Sequence, residues 1–222
     1  MAAVVITAIS LVIVCSSSSS RLKITVIIER EELNEVIMKN YRLIYPNKEY
    51  KEKAYDYIKE FKQYNSVVNG TGGLERYSEY DDWLKKLDDD LDIQNIPEDR
   101  VPAHTYFLIR VPDNKIIGMI NIRHKLNEFL YREGGHIGYS IRPTERQKGY
   151  GALILSLGLK KCTDLNMNKV LVTCDKANIA SAKVICKNNG ILENEIYSET
   201  CSETVQRYWI DLDIKPVDFC KI

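Results

Sequence analysis

Apolar and polar positions divide this chain into short runs whose period changes from two to about 3.6 and back. Tyr41 to Tyr45 alternates around Leu43 and stops at Pro46, which predicts a first strand. Asn47 then stands as an N-cap, with Glu49 and Glu52 in the first helical turn. Tyr50, Ala54, Tyr57, Ile58 and Phe61 keep helical spacing and give that helix one apolar face. Asn69-Gly70-Thr71-Gly72-Gly73 breaks it. A second, charge-rich helix is expected over Glu75 to Leu91, and Pro97 and Pro102 mark a linker. From His104 the pattern is that of an antiparallel meander. Strands are expected at His104–Arg110, Ile116–His124 and His136–Ile141, with a turn at Val111–Lys115 and a loop at Asn127–Gly135. A long helix, Tyr150 to Leu165, leads to Lys169–Cys174, which is almost wholly apolar or β-branched. That composition predicts a buried strand lying parallel to His136–Ile141 through the helical crossover. A last helix, Asn178–Asn188, ends at Gly190, and two closing strands follow near Leu192–Tyr197 and Gln206–Leu212. The sum is one α/β (α+β) domain with a mixed, mostly antiparallel sheet, with no internal repeat.

One stretch stands apart from this framework. The strand His136–Ile141 feeds a turn at Pro143 and then Arg146-Gln147-Lys148-Gly149-Tyr150-Gly151, where the long helix begins. Glycines let backbone N–H groups converge, a helix N-terminus favours negative charge, and Arg146 and Lys148 add full charges. Together they make a candidate anion site. The spacing is neither that of the ATPase phosphate loop nor G-x-G-x-x-G.

The same string resembles the acyl-CoA signature Q/R-x-x-G-x-G/A of the GCN5-related N-acetyltransferases (GNAT), with Arg146, Gly149 and Gly151 on its fixed positions. Asn178-x-x-Ser181, after the next buried strand, matches a pair that many of these enzymes carry there. The resemblance runs over about 41–212. It implies a sheet whose two parallel strands splay apart, helices on both faces, and acetyl-CoA as co-substrate. In that arrangement the backbone of Tyr139, Ser140 and Ile141 holds the pantetheine arm. The loop Arg146, Gln147, Lys148, Gly149, Tyr150 and Gly151, with Ala152, holds the pyrophosphate, and Asn178 and Ser181 complete the cofactor site. The implied reaction is direct attack of a primary amine on the thioester, with a strand N–H near Gly138 or Tyr139 facing the oxyanion.

His136 stands two residues before Gly138-Tyr139, where relatives often hold a glutamate, and is the candidate base; an ordinary imidazole titrates in the right range. The tyrosine that relatives use as acid is replaced by Cys186, so Cys186, Tyr150 or water is left to protonate the thiolate. Arg123 and His124 are candidates for acceptor binding, suited to a carboxylate or phosphate, and the loop around Gly72 is a candidate pocket wall. A non-catalytic acyl-CoA-binding regulatory module is the alternative.

Composition narrows the partners. In 222 residues, 45% are hydrophobic and 28% charged, with a formal net charge of zero, which argues against nucleic acid or an acidic membrane surface as the main partner. Six separate cysteines form no C-x-x-C pair and complete no zinc pattern with the three histidines, so reduced thiols, a cytoplasmic location and no metal are expected. Residues 1–40 read as an extension outside the domain 41–222. Its apolar run Ala2–Cys15, followed by Ser16–Ser20, is too short to span a bilayer, and no Lys or Arg precedes it. Membrane association through residues 2–15 is the alternative there. The expected acceptor is a small-molecule or peptide amine, and a homodimer is compatible with all of this.

Overall fold

A computed structural model describes residues 36–37, 39–200 and 202–213. The expectations for residues 1–35 lie outside the described residues. Among the described residues seven strands and four longer helices follow one another: β1 (Tyr41–Ile44), α1 (Lys51–Gln63), α2 (Tyr80–Asp89), β2 (Ala103–Arg110), β3 (Lys115–Arg123), β4 (Ile137–Ile141), α3 (Tyr150–Asp164), β5 (Lys169–Asp175), α4 (Ile179–Lys187), β6 (Ile191–Ser198) and β7 (Glu203–Asp211). Every strand ladder is antiparallel. β1-β2-β3-β4 form one sheet and β5-β7-β6 another.

The alternation of β2 and β3 places a core on each face. Phe107, Ile109, Ile116 and Met119 pack against α1 and α2, with Tyr57, Phe61 and Trp83 fully buried among them. Leu108, Ile117, Ile120 and Ile122 point the other way, onto α3 and the second sheet. Helix α3 supplies Leu153, Ile154, Leu155, Leu157 and Leu159 to that core, each contributing about 1.5–3 kcal/mol by burial. Local signals set the element ends. Asn47 accepts the N–H of Glu49 and Asn178 that of Ser181, while Asn114 turns the β2–β3 hairpin at φ +50°. The charged stretch after the glycine loop is shorter as a helix than its pattern predicts. A single 3-10 turn, Leu74–Arg76, precedes α2.

The expected single sheet is divided. β4 and β5, expected as a parallel pair, share no ladder among the described residues; just before β4, His136 N–H donates to the Leu171 carbonyl at 2.7 Å.

Candidate active site

The seam between β4 and β5 is the centre of the site. Arg123 N–H donates to the His136 carbonyl and Arg142 N–H to that of Ile117, both at 2.8 Å. These bonds turn the His136 carbonyl and the Arg142 N–H toward β3, while the His136 N–H goes to β5. Alternation then turns the N–H and C=O of Ile137, Tyr139 and Ile141 toward β5. On β5 the same alternation presents Leu171 and Thr173. The seam is pinned at one end twice over by His136, which also accepts the Leu171 N–H on Nδ1 at 2.9 Å. Thr173 reaches the Glu133 carbonyl next to it. On the other side the Tyr139 hydroxyl and that of Ser181 lie 3.0 Å apart.

Below the seam's open end lies the glycine loop. Gln147 and Gly149 are both left-handed, at φ +62° and +83°, and Leu153 N–H to the Gly149 carbonyl is the first bond of α3. The N–H groups of Tyr150, Gly151 and Ala152 therefore point out of the helix N-terminus, where an anion would sit. At Gly149 a Cβ would meet nothing within 4 Å, so the glycine serves the φ value and leaves the approach open. Glu145, buried beneath the loop, receives Lys148, Lys115 and Arg110. Burial alone would push its carboxyl up; the three cations outweigh that and bring it down to about 2.

Across the face of β4 runs the segment Asn69–Gly73. It walls a cleft of about 530 Å³ that also takes in Arg76, Lys86, Asp90, Arg100, Asn121 and Arg123. Trp83 Nε1 donates to the Thr71 carbonyl and Lys86 to that of Gly72, at 3.1 and 2.8 Å. Ser140 donates to the Asn69 carbonyl, and Tyr57 ties into the Ser140 carbonyl from below. Gly70 comes so close that a Cβ on it would lie 2.3 Å from the Gly138 carbonyl oxygen.

Residues 33–190 match the family model of the acetyltransferase (GNAT) domain. The chain belongs to the GNAT acetyltransferases. Acetyl-CoA-dependent N-acetyl transfer is the activity that comes with that membership. No curated protein matches the chain. Solved GNAT structures do. The ribosomal-protein-S5-alanine acetyltransferase of Vibrio fischeri is 16% identical, with TM-score 0.57 over 79% of this chain and 94% of that one. The microcin C7 self-immunity acetyltransferase MccE, in complex with acetyl-CoA and AMP, is 17% identical, with TM-score 0.56 over 78% and 92%. The spermidine/spermine N-acetyltransferase SpeG of Vibrio cholerae is 14% identical, with TM-score 0.55 over 80% and 95%. At these identities the likeness is one of fold.

Within the GNAT frame the sequence-predicted residues separate into groups. Tyr139, Ile141, Ser181, Gln147, Gly149, Gly151 and Ala152 lie along the seam or the loop below it, and Asn178 caps α4 beside Ser181. Gly72 and Arg123 line the cleft. Others are turned elsewhere. The Ser140 hydroxyl is spent on Asn69 and Tyr57. Arg146 reaches the Ile141 carbonyl and Ser66 and lies over the Phe61 ring, and Lys148 folds back onto Glu145. The Tyr150 hydroxyl lies against Tyr41 and Arg110, on strands two and three places from β4, which removes it as proton donor to a thiolate in the seam. His124 is not in the cleft; its Nε2 is 2.7 Å from Nδ1 of His104 on the neighbouring strand. Cys186 is an exposed free thiol on α4.

His136 stands at the head of β4. It is 8% exposed. Burial pushes its pKa down to about 4, with Arg123 acting in the same direction. An Nδ1 that accepts an N–H is unprotonated, so the neutral ring carries its proton on Nε2. The sequence pattern places Tyr57 on a helix face and Asn69 in a loop without giving either a role at the site, and it does not single out Glu145. Their roles come from long-range hydrogen bonds, and only the i, i+3 spacing of Glu145 and Lys148 left a trace. Among the described residues no group of three or more His, Cys, Asp or Glu could hold a metal ion, and no helix is long and apolar enough to cross a membrane.

Proposed function

We propose that acetyl-CoA lies with its pantetheine arm in the seam between β4 and β5, its pyrophosphate at the loop Gln147–Ala152, and that an amine entering by the Gly72 cleft attacks the thioester. The observation that carries this reading is the seam itself. A strand edge presenting Ile137, Tyr139 and Ile141 with no ladder partner is what a chain of alternating amide donors and acceptors can pair with. The N–H of Tyr139 faces the seam and is the donor for the oxyanion; a fixed dipole there costs no reorganisation at the moment of reaction.

The leaving thiolate is protonated in this scheme by the Tyr139–Ser181 hydroxyl pair. Burial holds the Tyr139 phenol up at about 12, so it stays a donor at neutral pH. Cys186 is not needed. His136 acts as the pin that spaces the strands rather than as the base, because its lone pair is engaged. The amine then loses its proton to water in the cleft during or after attack. The committed His136 nitrogen is also the observation that favours the second reading, an acyl-CoA sensor that binds without turnover. The free cysteines Cys162 and Cys174, both buried, support a reducing, cytoplasmic setting. SpeG is a spermidine/spermine acetyltransferase, which puts a polyamine among the acceptors to be tried.

The test is calorimetric titration of the purified chain with acetyl-CoA, followed by thiol release over a panel of amines. Binding with release establishes the enzyme. Binding with no release from any amine supports the sensor, and absence of binding refutes both.

A further inference from the structure

We infer that the acceptor amine carries a carboxylate, and that the Arg123 guanidinium in the floor of the Gly72 cleft receives it. The inference rests on the acetyltransferase reading above and adds the substrate class.

Arg123 ends β3 and lines the cleft. Its Nη1 donates to the carbonyls of Gly134 and Gly135 at 2.9 and 3.0 Å, which fixes the plane of the guanidinium. Its Nη2 lies beside the catalytic strand, 3.7 Å from where a Cβ on Gly138 would be. Among the described residues no carboxylate pairs with it. Of the three acids in the cleft, Asp90, 2% exposed, is shared by Lys86 and Arg100, Glu75 holds Thr71 and Arg76, and Asp99 is exposed on the rim. Lys86, Arg100 and Arg123 thus stand over one buried carboxylate. The excess is felt locally, since Arg123 lowers the pKa of both Lys86 and His136, though burial is the larger cause in each.

A guanidinium removed from water without a counter-ion is costly, and an arriving anion relieves that cost. A carboxylate fits the free N–H edge of a planar fork, and the bond is charge-assisted. A polyamine would bring further positive charge to the same floor. The same chemistry is offered by the α-carboxylate of an amino acid and by an acidic side chain of a peptide, both near a primary amine.

Matched acceptors separate these cases on the full chain, with acetyl-CoA affinity measured by calorimetry on the same sample. The pairs are alanine against alaninamide and Ala-Asp-Ala-amide against Ala-Asn-Ala-amide, with spermidine as the polycation. The acid member of one pair should exceed its amide by about 10–100-fold in kcat/KM, chiefly through KM. The pair that shows it says whether the source is a free amino acid or a peptide. Arg123→Gln should bring acid and amide to within about threefold of each other, and Arg123→Lys should keep part of the preference. The parent comparison stands even if the variants fold poorly. Equal rates within both pairs, zero included, overturn the inference while leaving acetyl-CoA binding intact, and so does a preference for spermidine. A chain that does not bind acetyl-CoA takes both readings down.

Discussion

Replacing His136 by alanine should cost stability in a way that depends on pH. At neutral pH the substitution removes the acceptor of the Leu171 N–H, and a buried donor left unpaired costs about 1–3 kcal/mol. The ring also packs edge-on to Trp209 at 6.2 Å, a contact that adds about 1 kcal/mol. The expected loss is therefore about 2–4 kcal/mol. In the parent, folding lowers the imidazole pKa from 6.5 to about 4. That difference corresponds to about 3 kcal/mol, or about 2 after allowing for solvent at the ring. The native ring stays neutral while the unfolded one takes up a proton below pH 6.5. This contribution is complete above pH 6.5 and is lost as the pH falls through 4. Urea unfolding of parent and His136→Ala at pH 7.5, 6.0, 5.0 and 4.5 should show the gap between them narrowing toward acid. His104 and His124 titrate in both proteins and cancel. A gap that stays constant over this range, or a variant as stable as the parent, would refute the pin.

Three further substitutions test other parts of the site. Gly149→Val must hold φ near +83°, so stability should fall by about 1–2 kcal/mol. Acetyl-CoA affinity should fall at least tenfold by calorimetry, and unchanged affinity would displace the pyrophosphate from this loop. Gly70→Ala places a Cβ 2.3 Å from the Gly138 carbonyl oxygen, and backbone cannot yield as a side chain can. The melting temperature should drop by an amount equivalent to at least ~2 kcal/mol, and amine turnover should suffer more than acetyl-CoA binding. Tyr150→Phe loses bonds of 3.2 and 3.4 Å to Tyr41 and Arg110, worth about 1 kcal/mol. Turnover should stay within about threefold, and a hundredfold loss would restore the phenol as the acid.

Much of this arrangement could be read from local pattern. Period-two alternation in β2 and β3 carried through to two cores, and Asn47 and Asn178 marked helix starts because a capping side chain acts within three residues. The helix start at Tyr150 and the positive φ at Gly149 follow from the glycine-punctuated loop. What the pattern could not convey was direction across the sheet. Tyr150 and Gly149 are neighbours in sequence, yet a helical rotation turns the phenol onto β1 and β2 while the backbone faces the anion site. His124 follows Arg123 directly, and strand alternation sends it to the opposite face, where it meets His104. The role of His136 depended on a bond to a residue 35 positions away, which no local spacing encodes.

The open edge of β4 has a consequence for the protein as a polymer in the cell. Unpaired strand edges are the usual route by which β-proteins stick to one another. Here the edge is roofed by the neighbouring half-sheet and, on the proposed function, filled by the co-substrate. Acetyl-CoA would then act as a removable strand of the fold. Its free concentration would set the folding equilibrium by mass action, adding about 2.7 kcal/mol when it stands a hundredfold above Kd. Metabolic depletion would then reach this enzyme twice, once through an empty active site and once through a lower abundance of intact molecules.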